Sequence, residues 1–437
     1  MTDGRVTVRE LVVLALPAIG SAVLNNTYRL VDQFSVQWLG TSAQAAIGST
    51  TFVLISFHAV FWLTSAGAGP LVARATGARD IALCRKTVGS ALSATMVTTI
   101  AVGFGATLGA DTLASLLGLS GPTHDDAATY LRWLGIGIAG ISFGSLMDTI
   151  FIARGQTLTP MLLLVVSNVL NAVLNGALIY GLGLGIKGSA IATCVSRGLT
   201  MLIGFRLLWK EIGWSRHDLG FGEVTLRLAK IGLPITVNTL AYAWVYWALL
   251  AFAISPLGPT VNAALGIGFS ALEGFTWPLF QGVSLAVASI VGRRLGAGQP
   301  DEAARAVRIA FPISSALGVA VALVFWFGAV PLCSVFTRDP EVLRQAVLYA
   351  RILALSQVFV AWEALFEGAL AGSGATSAVL LWSAPMNVLR VPLGWWLAGP
   401  LGYGAAGVWW AINLTTYAKA FGKGWSTWRG RWQGAVV

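Results

Sequence analysis

The sequence predicts an all-α polytopic membrane protein with twelve transmembrane helices in two pseudo-symmetric six-helix lobes. Composition, the length of the apolar runs and an internal repeat lead to this class. Of the 437 residues, 56% are hydrophobic and 11% are charged, with a mean hydropathy of +0.75. Soluble globular proteins carry roughly 25% charged residues, so this composition excludes a water-soluble monomer. The apolar runs are continuous, as in ISSALGVAVALVFWFGAV, and lack the ten-residue alternation of a β-barrel.

A helix needs roughly 20 apolar residues to cross the hydrocarbon core, and twelve runs separated by polar, Gly or Pro breaks meet this requirement. The first begins at Leu11 and continues through LVDQFSVQWLG with no small-residue cleavage site, so we expect a retained helix rather than a signal peptide. In chain order, the predicted helices are 11–38, 44–73, 87–110, 126–153, 158–181, 188–209, 227–254, 260–291, 303–330, 344–371, 377–399 and 404–421.

The net charge of +10 follows the predicted topology. With the helices above, 20 of the 28 basic residues fall on the side of the membrane that holds the N-terminus, including the groups 74–86, 206–230, 293–308 and 419–431. Basic loops are cytoplasmic by the positive-inside rule. We therefore expect both termini in the cytoplasm of a multi-pass plasma (inner) membrane protein, and no binding of nucleic acid.

An internal repeat divides the chain into two halves. An offset of 219 residues aligns VARATGARD with VGRRLGAGQ and gives 13 identities over 42 positions between 153–194 and 372–413, where composition alone would give roughly four. The predicted domains are a lobe at 1–209, a cytoplasmic linker at 210–226 and a lobe at 227–437. Six helices in each half make the repeats parallel, related by an axis along the membrane normal.

Several of these segments carry a family resemblance. LPAIGSAVLNNTYRLVDQFSVQWLG, VARATGARD, SNVLNAVLNGALIYGLGLGIKGSAIAT, GLPITVN and GRRLGAGQPDEAARA resemble, in order and spacing, the multidrug and toxic compound extrusion (MATE) transporters over essentially the whole chain. The resemblance implies a secondary active antiporter that exports organic, often cationic or amphipathic, compounds by alternating access against inward flow of H⁺ or Na⁺. The same superfamily contains lipid and lipid-linked oligosaccharide flippases, which are the alternative function.

Ionisable residues in the predicted helices are the first candidates for function, because a charge at mid-bilayer costs at least roughly 2.5–3.5 kcal/mol. Asp32 lies in YRLVD, which resembles the stretch that carries an essential first-helix aspartate in prokaryotic members. Arg29 is one helical turn away and close enough to pair with it. We expect Asp32 to exchange a coupling proton or Na⁺; a static ion pair with Arg29 is the alternative.

Three asparagines share one face of the fifth predicted helix, because Asn168, Asn171 and Asn175 are spaced i, i+3, i+7. The resemblance implies that Asn171, Asn175 and Thr193 join Asp32 in a cation site, and that Asn175 replaces an acid there. The remaining oxygens suit a hard cation such as Na⁺, so Na⁺ at Asp32 and a proton on Asp32 both stay open. The alternative is that the asparagines only hold helices together by hydrogen bonds.

The second half carries further buried acids. Glu363 and Glu367 are four residues apart, and their mutual repulsion predicts that one holds a proton if both are buried. Glu367 aligns with Asp148 in the repeat, which suggests an architectural role for both, paired with Arg154 or another cytoplasmic-side base.

A substrate site is predicted around Glu273, because an isolated acid beside aromatic residues attracts organic cations. The residues expected to contribute to substrate binding are Glu273, Trp277, Gln281, Trp244, Trp247 and Glu363. Pro17 and Pro234 match each other in the repeat, and each frees a backbone carbonyl near the start of a helix. We expect them to act as conformational hinges.

Enzyme motifs are not recognisable in the sequence: it contains no HExxH and no phosphate loop, and its one GxSxG match, at 140–144, lies inside a predicted helix and not at the strand-to-helix turn of a nucleophile elbow. We therefore expect a transporter without a cofactor, driven by H⁺ or Na⁺, with no metal beyond possible Na⁺ at Asp32. The expected partners are a small organic substrate and membrane lipid, and the protein is expected to work as a monomer.

Overall fold

The computed structural model describes residues 5–435, except for the side chains of Phe52, Ser270 and Ala271. Within this range the regular secondary structure is entirely helical. The α-helices are α1 (Val8–Ser35), α2 (Thr41–Gly77), α3 (Ile81–Leu108), α4 (Ala110–Leu116), α5 (Gly121–Ile136), α6 (Ala139–Ala153), α7 (Leu158–Asn175), α8 (Gly185–Ile212), α9 (Glu223–Leu249), α10 (Pro259–Leu265), α11 (Gly274–Gly296), α12 (Pro300–Phe327), α13 (Ala329–Ser334), α14 (Pro340–Ala354), α15 (Gln357–Ser373), α16 (Thr376–Ala398) and α17 (Gly404–Trp428). Three π-helical segments, Gly176–Gly181, Leu250–Ile254 and Gly266–Glu273, adjoin α7, α9 and α11.

Each of the twelve predicted runs is helical in the structure, but two of them are broken. The run at 126–153 is bent by 58° between α5 and α6, and the run at 344–371 is bent by 54° between α14 and α15. The sequence at both breaks is apolar and lacks proline, so hydropathy did not reveal them.

Eight helical stretches of the described chain are long and apolar enough to cross a membrane, and the two bent pairs would make ten spans. α16 and α17, with 23 and 25 residues, complete the predicted twelve. At 1.5 Å per residue each exceeds the roughly 30 Å of the hydrocarbon core. Their interiors carry Arg390, Lys419 and Lys423, which lowers their apolar character.

Helix starts are set by local side-chain chemistry. Asp80 caps α3 by accepting a hydrogen bond from the Leu83 N–H at 2.9 Å, and Asp339 caps α14 by accepting from the N–H groups of Glu341 and Val342. Such caps satisfy donors that have no partner inside the helix. Four starts, including that of α14, have proline in the first turn, where its fixed φ is already helical; they are α5, α10, α12 and α14.

The repeat is visible in the backbone. Gly155 and Gly374, 219 residues apart, both have left-handed φ angles, of 81° and 88°, which glycine adopts without a steric cost. At Gly188 and Gly407, also one repeat apart, a Cβ atom would lie 2.9 and 2.6 Å from the backbone ten residues earlier. Both halves therefore need glycine where the chain turns and where backbones meet.

The described chain forms two compact units, whose boundaries lie inside α1 and α9. We call residues Val23–Thr236 the N-unit, and the described residues up to Ala22 together with those from Val237 onward the C-unit. The predicted lobes were 1–209 and 227–437. In the structure, the first stretch of α1 belongs to the C-unit instead of the first lobe, and the first stretch of α9 belongs to the N-unit instead of the second lobe. Pro17 and Pro234 lie inside those two helices, just before the boundaries.

The predicted linker at 210–226 packs on the N-unit. Arg85 donates from Nε to the Ile212 carbonyl at 2.7 Å, and the Gly220 N–H donates to the Ser93 hydroxyl at 2.9 Å. A Cβ atom on Gly89 would lie 2.1 Å from the Asp218 carbonyl oxygen. The linker is therefore docked against α3.

Candidate functional site

A buried carboxylate lies at the centre of the polar site in the N-unit. Asp32, near the end of α1, is 5% exposed. Its Oδ1 accepts a hydrogen bond from Asn175 Nδ2 at 3.0 Å, and its Oδ2 accepts one from the Thr193 hydroxyl at 3.2 Å. The partners come from the end of α7 and the first third of α8, so three helices converge on this carboxylate.

The network continues through the neighbouring amide. Asn175 Nδ2 also donates to Asn171 Oδ1 at 3.1 Å, and Asn171 Nδ2 donates to the Thr193 hydroxyl at 3.3 Å. Asn171 and Asn175 are fully buried. Of the predicted site residues, Asp32, Asn171, Asn175 and Thr193 are thus brought together. Asn168 is not part of this network, because its Nδ2 donates to the Leu164 carbonyl of its own helix at 2.8 Å.

Arg29 does not pair with Asp32, contrary to the static ion pair considered from the sequence. Its guanidinium donates to Asn26 on an exposed part of α1. Arg197, on α8, instead donates to Asn25 Oδ1 at 3.1 Å and lies 4.2 Å from the centre of the Tyr28 ring. Among the ion pairs formed within residues 5–435, none includes Asp32.

A change of helix type follows the site directly. α7 ends at Asn175, and the π-helical segment Gly176–Gly181 continues the chain. π turns inside helices are rare and occur mostly at functional sites. Here the Tyr180 hydroxyl in the π segment donates to the Ser35 carbonyl at the end of α1, which ties the helix carrying Asp32 to the helix carrying its asparagines.

The C-unit contains a buried cluster of two acids and two lysines. Lys419 and Lys423, one turn apart on α17, each contact Glu363 Oε1 from Nζ at 3.0 Å, and Lys423 Nζ contacts Glu367 Oε2 at 2.6 Å. The side chain of Lys423 has no exposed surface. This acid–lysine cluster is electrically neutral as two carboxylates and two ammonium groups. It corrects the prediction that repulsion between Glu363 and Glu367 retains a proton.

Glu273 lies among tyrosines in the C-unit. The Tyr349 hydroxyl donates to its carboxyl group, and Tyr349 is fully buried. On α9, the Tyr246 ring contacts the Tyr242 ring with centres 4.6 Å apart and the Phe269 ring at 5.0 Å. This face of α9 is thus directed towards the π-helical segment that ends at Glu273.

Arg390 is a second buried charge in the C-unit. It is 2% exposed, and its guanidinium donates to the hydroxyl groups of Thr415 at 3.0 Å, Thr416 at 3.4 Å and Tyr246 at 3.3 Å. No acid of the described chain forms an ion pair with it. A guanidinium held only by hydroxyls keeps its full charge available for an anionic group.

Trp244 and Trp247 line a groove that does not include Glu273. Trp244 and Trp247 are 68% and 58% exposed, and with Val391 and Pro392 they line an apolar groove of about 440 Å³. Trp277, one turn beyond Glu273 on α11, is half-exposed, and Gln281 is half-buried. The structure therefore brings Trp277 and Gln281, but not Trp244 and Trp247, to the helix that follows Glu273.

The described residues contain no group of three or more His, Cys, Asp or Glu side chains that could hold a metal ion. An ion at Asp32 would therefore take amide and hydroxyl oxygens as its other ligands. Cys84, Cys194 and Cys333 are free thiols.

Comparison with known proteins identifies the family. The model of the MatE family matches residues 17–176 and 234–396, which is most of the chain and covers both halves of the repeat. The chain belongs to the MatE family. It is therefore a membrane transporter and not an enzyme.

Relatives and solved structures of similar fold span nearly the whole of this MatE chain. It is 26% identical over 413 residues to the probable multidrug resistance protein NorM of Thermotoga maritima, with 90% of this chain and 87% of the relative covered. It is also 26% identical to an FAD transporter of Shewanella oneidensis, with 79% and 78% covered. A MOP superfamily transporter from Pyrococcus furiosus has the same fold, with a TM-score of 0.89 at 22% identity and coverage of 98% and 97%.

Sequence reasoning missed several site residues of this MatE transporter. Lys423 was placed beyond the last predicted helix, which ended at 421, whereas α17 continues to Trp428. Lys419 and Lys423 are buried. They therefore do not belong to the 20 basic residues that the sequence assigned to the cytoplasmic side. The i, i+4 spacing of Tyr242 and Tyr246 was a visible signal of a shared face. Tyr349, 76 residues from Glu273 in the chain, left no such signal.

Proposed function

We propose that this transporter exports organic, cationic or amphipathic compounds in exchange for protons by alternating access. Family membership and the similarity to NorM of Thermotoga maritima, named a probable multidrug resistance protein, support export of foreign compounds. The proposal also places the chain in the inner membrane as a monomer with both termini cytoplasmic, in line with the distribution of its basic residues.

The observation that carries this proposal is that Asp32 is buried and takes part in no ion pair of the described residues. A buried carboxylate inside the membrane costs at least roughly 2.5–3.5 kcal/mol, and here no ion pair offsets that cost. Two neutral donors stabilise the ionised form, while protonation removes the charge. The carboxyl group is therefore suited to exist in both states. Coupling requires the proton to interact differently with the two conformations of the transporter.

A proton fits the arrangement better than Na⁺. A hard cation needs several oxygens directed at it. Around Asp32, however, Asn175 presents its Nδ2 and Thr193 its hydroxyl proton to the carboxylate. Asn171 Oδ1 is also taken, because it accepts from Asn175. Na⁺ binding would require the Asn175 amide to turn its oxygen towards Asp32.

The C-unit supplies the substrate contacts in this proposal. Glu273, with Trp277 and Gln281 on the following helix, offers one negative charge and an aromatic surface for an organic cation. Glu363 contributes less than expected from the sequence, because Lys419 and Lys423 neutralise it. Trp244 and Trp247 would contact only the apolar part of a compound that enters their groove.

An anionic substrate is the second candidate, and Arg390 favours it. Its guanidinium has no acid partner among the described residues, and guanidinium is the group best suited to binding carboxylate or phosphate. The relative from Shewanella oneidensis is named an FAD transporter, and FAD carries phosphates. A flippase for pyrophosphate-linked lipids is less well supported, because both lysines of the C-unit cluster are occupied by glutamates.

Transport into proteoliposomes tests the proposal. With an acidic interior, protons leave and should drive uptake of ethidium, a fluorescent cation; an outward Na⁺ gradient at equal pH should not. Asp32→Asn is nearly isosteric and should fold, yet uptake should fall to background, at least about ten-fold, because an amide has no proton to exchange. Glu367→Gln should keep a substantial part of transport.

The same assay identifies the alternatives. Uptake driven only by a Na⁺ gradient would show that Na⁺, and not the proton, is the coupling ion. Uptake of FAD but not of ethidium would favour the anionic substrate. An active Asp32→Asn beside an inactive Glu367→Gln would move the coupling role to the C-unit and contradict the assignment.

A further inference from the structure

A small cavity lies beside Asp148 in the N-unit, between α6, α7 and α8. Its volume is about 20 Å³, and its lining includes Asp148, Arg197, Thr200, Gly140 and Gly144. A cavity needs roughly 10–15 Å³ and at least two polar partners to hold one water molecule. This cavity has that volume, and three residues with polar side chains, Asp148, Arg197 and Thr200, are among those that line it.

Asp148 lines this cavity and has no direct side-chain partner among the described residues. No hydrogen bond or ion pair joins it to another residue of the described range, although it lies inside a membrane-spanning segment. Arg154, the partner expected from the sequence, pairs instead with Glu211 at 2.6 Å. A structural ion pair at the end of α6 therefore does not explain why an acid occupies this position.

Arg197 is the charged group that acts on Asp148. Of the helices packed against α6, α7 carries no ionisable residue. The other ionisable residues of α2, α3 and α8 do not line the cavity; they are His58, Arg74, Cys84, Arg85, Lys86, Lys187, Cys194, Arg206, Lys210 and Glu211. Asp148 and Arg197 are therefore the two charged residues that line this space for one water molecule.

The cavity connects to the Asp32 site through α8. Thr193, which donates to Asp32, and Arg197, which lines the cavity, are four residues and thus about 6 Å apart along this helix. Between them, the Ser196 hydroxyl contacts the Tyr28 hydroxyl, and Arg197 covers the Tyr28 ring. From Asp32, the cavity lies in the direction of Ile212, the end of α8 predicted to be cytoplasmic.

We propose that Asp148, Arg197 and a water molecule in this cavity form a second proton-carrying site of the N-unit. This inference rests on the proposed proton coupling and names a further residue for it. In the step, the Asp148 carboxylic acid loses H⁺ from its oxygen to the cavity water, which passes it towards the cytoplasm, and a carboxylate remains. Arg197 compensates the carboxylate and stays protonated throughout. Because a positively charged residue, Arg197, lines the same cavity, the site takes a proton and not a metal cation.

The site also links protonation to α1. When Asp148 is neutral, Arg197 keeps its contacts with Asn25 and Tyr28 on that helix. When Asp148 is ionised, its charge draws the guanidinium across the cavity and weakens those contacts. Protonation of Asp148 thereby changes the contacts that Arg197 makes with the helix that carries Asp32.

Proton release on ligand binding tests the site. In purified wild-type protein in weakly buffered detergent, ethidium binding should release protons from both Asp32 and Asp148, measured with a pH-indicator dye. Asp148→Asn should release about half as many protons per bound ethidium, because one of two linked groups no longer titrates, and by reciprocity its ethidium affinity should change less steeply with pH than that of wild type. Equal release from wild type and Asp148→Asn would overturn the site.

A second variant keeps the carboxyl group and fills the cavity. A Cβ atom on Gly144 would meet nothing within 4 Å, so Gly144→Ala places a methyl group in the space for the water. It should lower transport driven by the pH gradient several-fold at unchanged ethidium affinity. Gly105→Ala on α3, equally free of contacts, is the matched control. Equal rates for both alanine variants would contradict the role of the cavity.

Infrared spectroscopy separates this inference from the proposed function. The C=O stretching band of a protonated carboxyl group should titrate in wild type and be lost in Asp148→Asn, with no substrate present. If wild type takes up no ethidium under any gradient, the proposed function fails while this band still decides whether Asp148 exchanges a proton. If wild type transports and the band is unchanged in Asp148→Asn, the inference alone fails.

Discussion

Arg79 adopts a backbone conformation that suits glycine. Its φ of 57° is the one left-handed value among the described residues other than glycine, and one repeat later Gly298 has a φ of 70°. For an L-residue with a Cβ atom this conformation costs roughly 1–2 kcal/mol. The first turn after α2 therefore carries strain that its counterpart after α11 avoids.

Arg79→Gly should therefore stabilise the protein. Relief of the left-handed strain, partly offset by the greater freedom of glycine in the unfolded chain, should raise the free energy of unfolding by about 0.5–1 kcal/mol. Thermal unfolding of the purified protein in detergent measures the effect. Arg79→Ala removes the same charge but keeps the strain, so a gain of equal size in that variant would show that charge, and not backbone conformation, is responsible.

Residue spacing predicts which side chains share a helix face, and it does not predict contacts between distant parts of the chain. The spacing of Asn171 and Asn175 placed both on one side of α7, and the family pattern added Asp32 and Thr193. The role of Asn168 could not be read from spacing, because its amide turns to its own helix. The partners of Glu273 and Glu363 come from residues 60 or more positions away in the chain, and periodicity does not report such contacts.

At the scale of elements, the acid–lysine cluster joins α15 to α17. Glu363 bridges both lysines, and Glu367 has only Lys423. Removing one member of a buried ion pair leaves a charge without compensation, which costs about 3–5 kcal/mol. The cluster should therefore tolerate a double substitution that removes one acid and one lysine much better than a single substitution that removes only one of them.

Lys423→Met should destabilise the protein by about 1–3 kcal/mol, because Glu367, whose side chain is 31% exposed, then lacks its partner. The double variant Glu367→Gln, Lys423→Met leaves Glu363 with Lys419 and should recover most of this loss. Unfolding temperatures of wild type, both single variants and the double variant form a double-mutant cycle. Additive single effects would show that the two side chains do not interact.

Helix positions were predictable from hydropathy, and helix breaks were not. Apolar runs located all twelve spans, and their ends shifted by a few residues because caps and turn residues, rather than hydropathy, set them. The bends of 58° and 54° lie between helices that are both apolar. They depend on packing against neighbouring helices, which a single apolar run does not encode.

At the scale of the whole molecule, the two halves share a backbone and differ in charge. Glycines recur at offset 219, and Asp148 corresponds to another acid, Glu367, whereas Asn171 corresponds to Arg390. The asparagine that supports Asp32 in the N-unit thus has a buried cation as its counterpart in the C-unit. The two halves therefore differ in charge at this position.

The topology predicts which side of the membrane each loop occupies. Arg216→Cys in the linker should react with a membrane-impermeant maleimide only in inside-out vesicles, and Arg338→Cys, between α13 and α14, only in right-side-out vesicles. Both positions are exposed. The parent should carry serine at Cys84, Cys194 and Cys333. Labelling of Arg216→Cys from the outside would reverse the orientation derived from the basic loops.

The division of α1 between the two units has a consequence for biosynthesis. The N-unit is one continuous stretch and is complete once Thr236 has left the ribosome, whereas the C-unit needs the described residues up to Ala22 together with everything from Val237. The first part of α1 therefore enters the membrane long before its partners exist. Glu10 on this segment is synthesised long before Arg293 and Arg294, which contact it at 3.5 and 3.0 Å in the folded protein. Until then the segment stays at the insertion machinery or in lipid, held by its own hydrophobicity, while the entire N-unit is made.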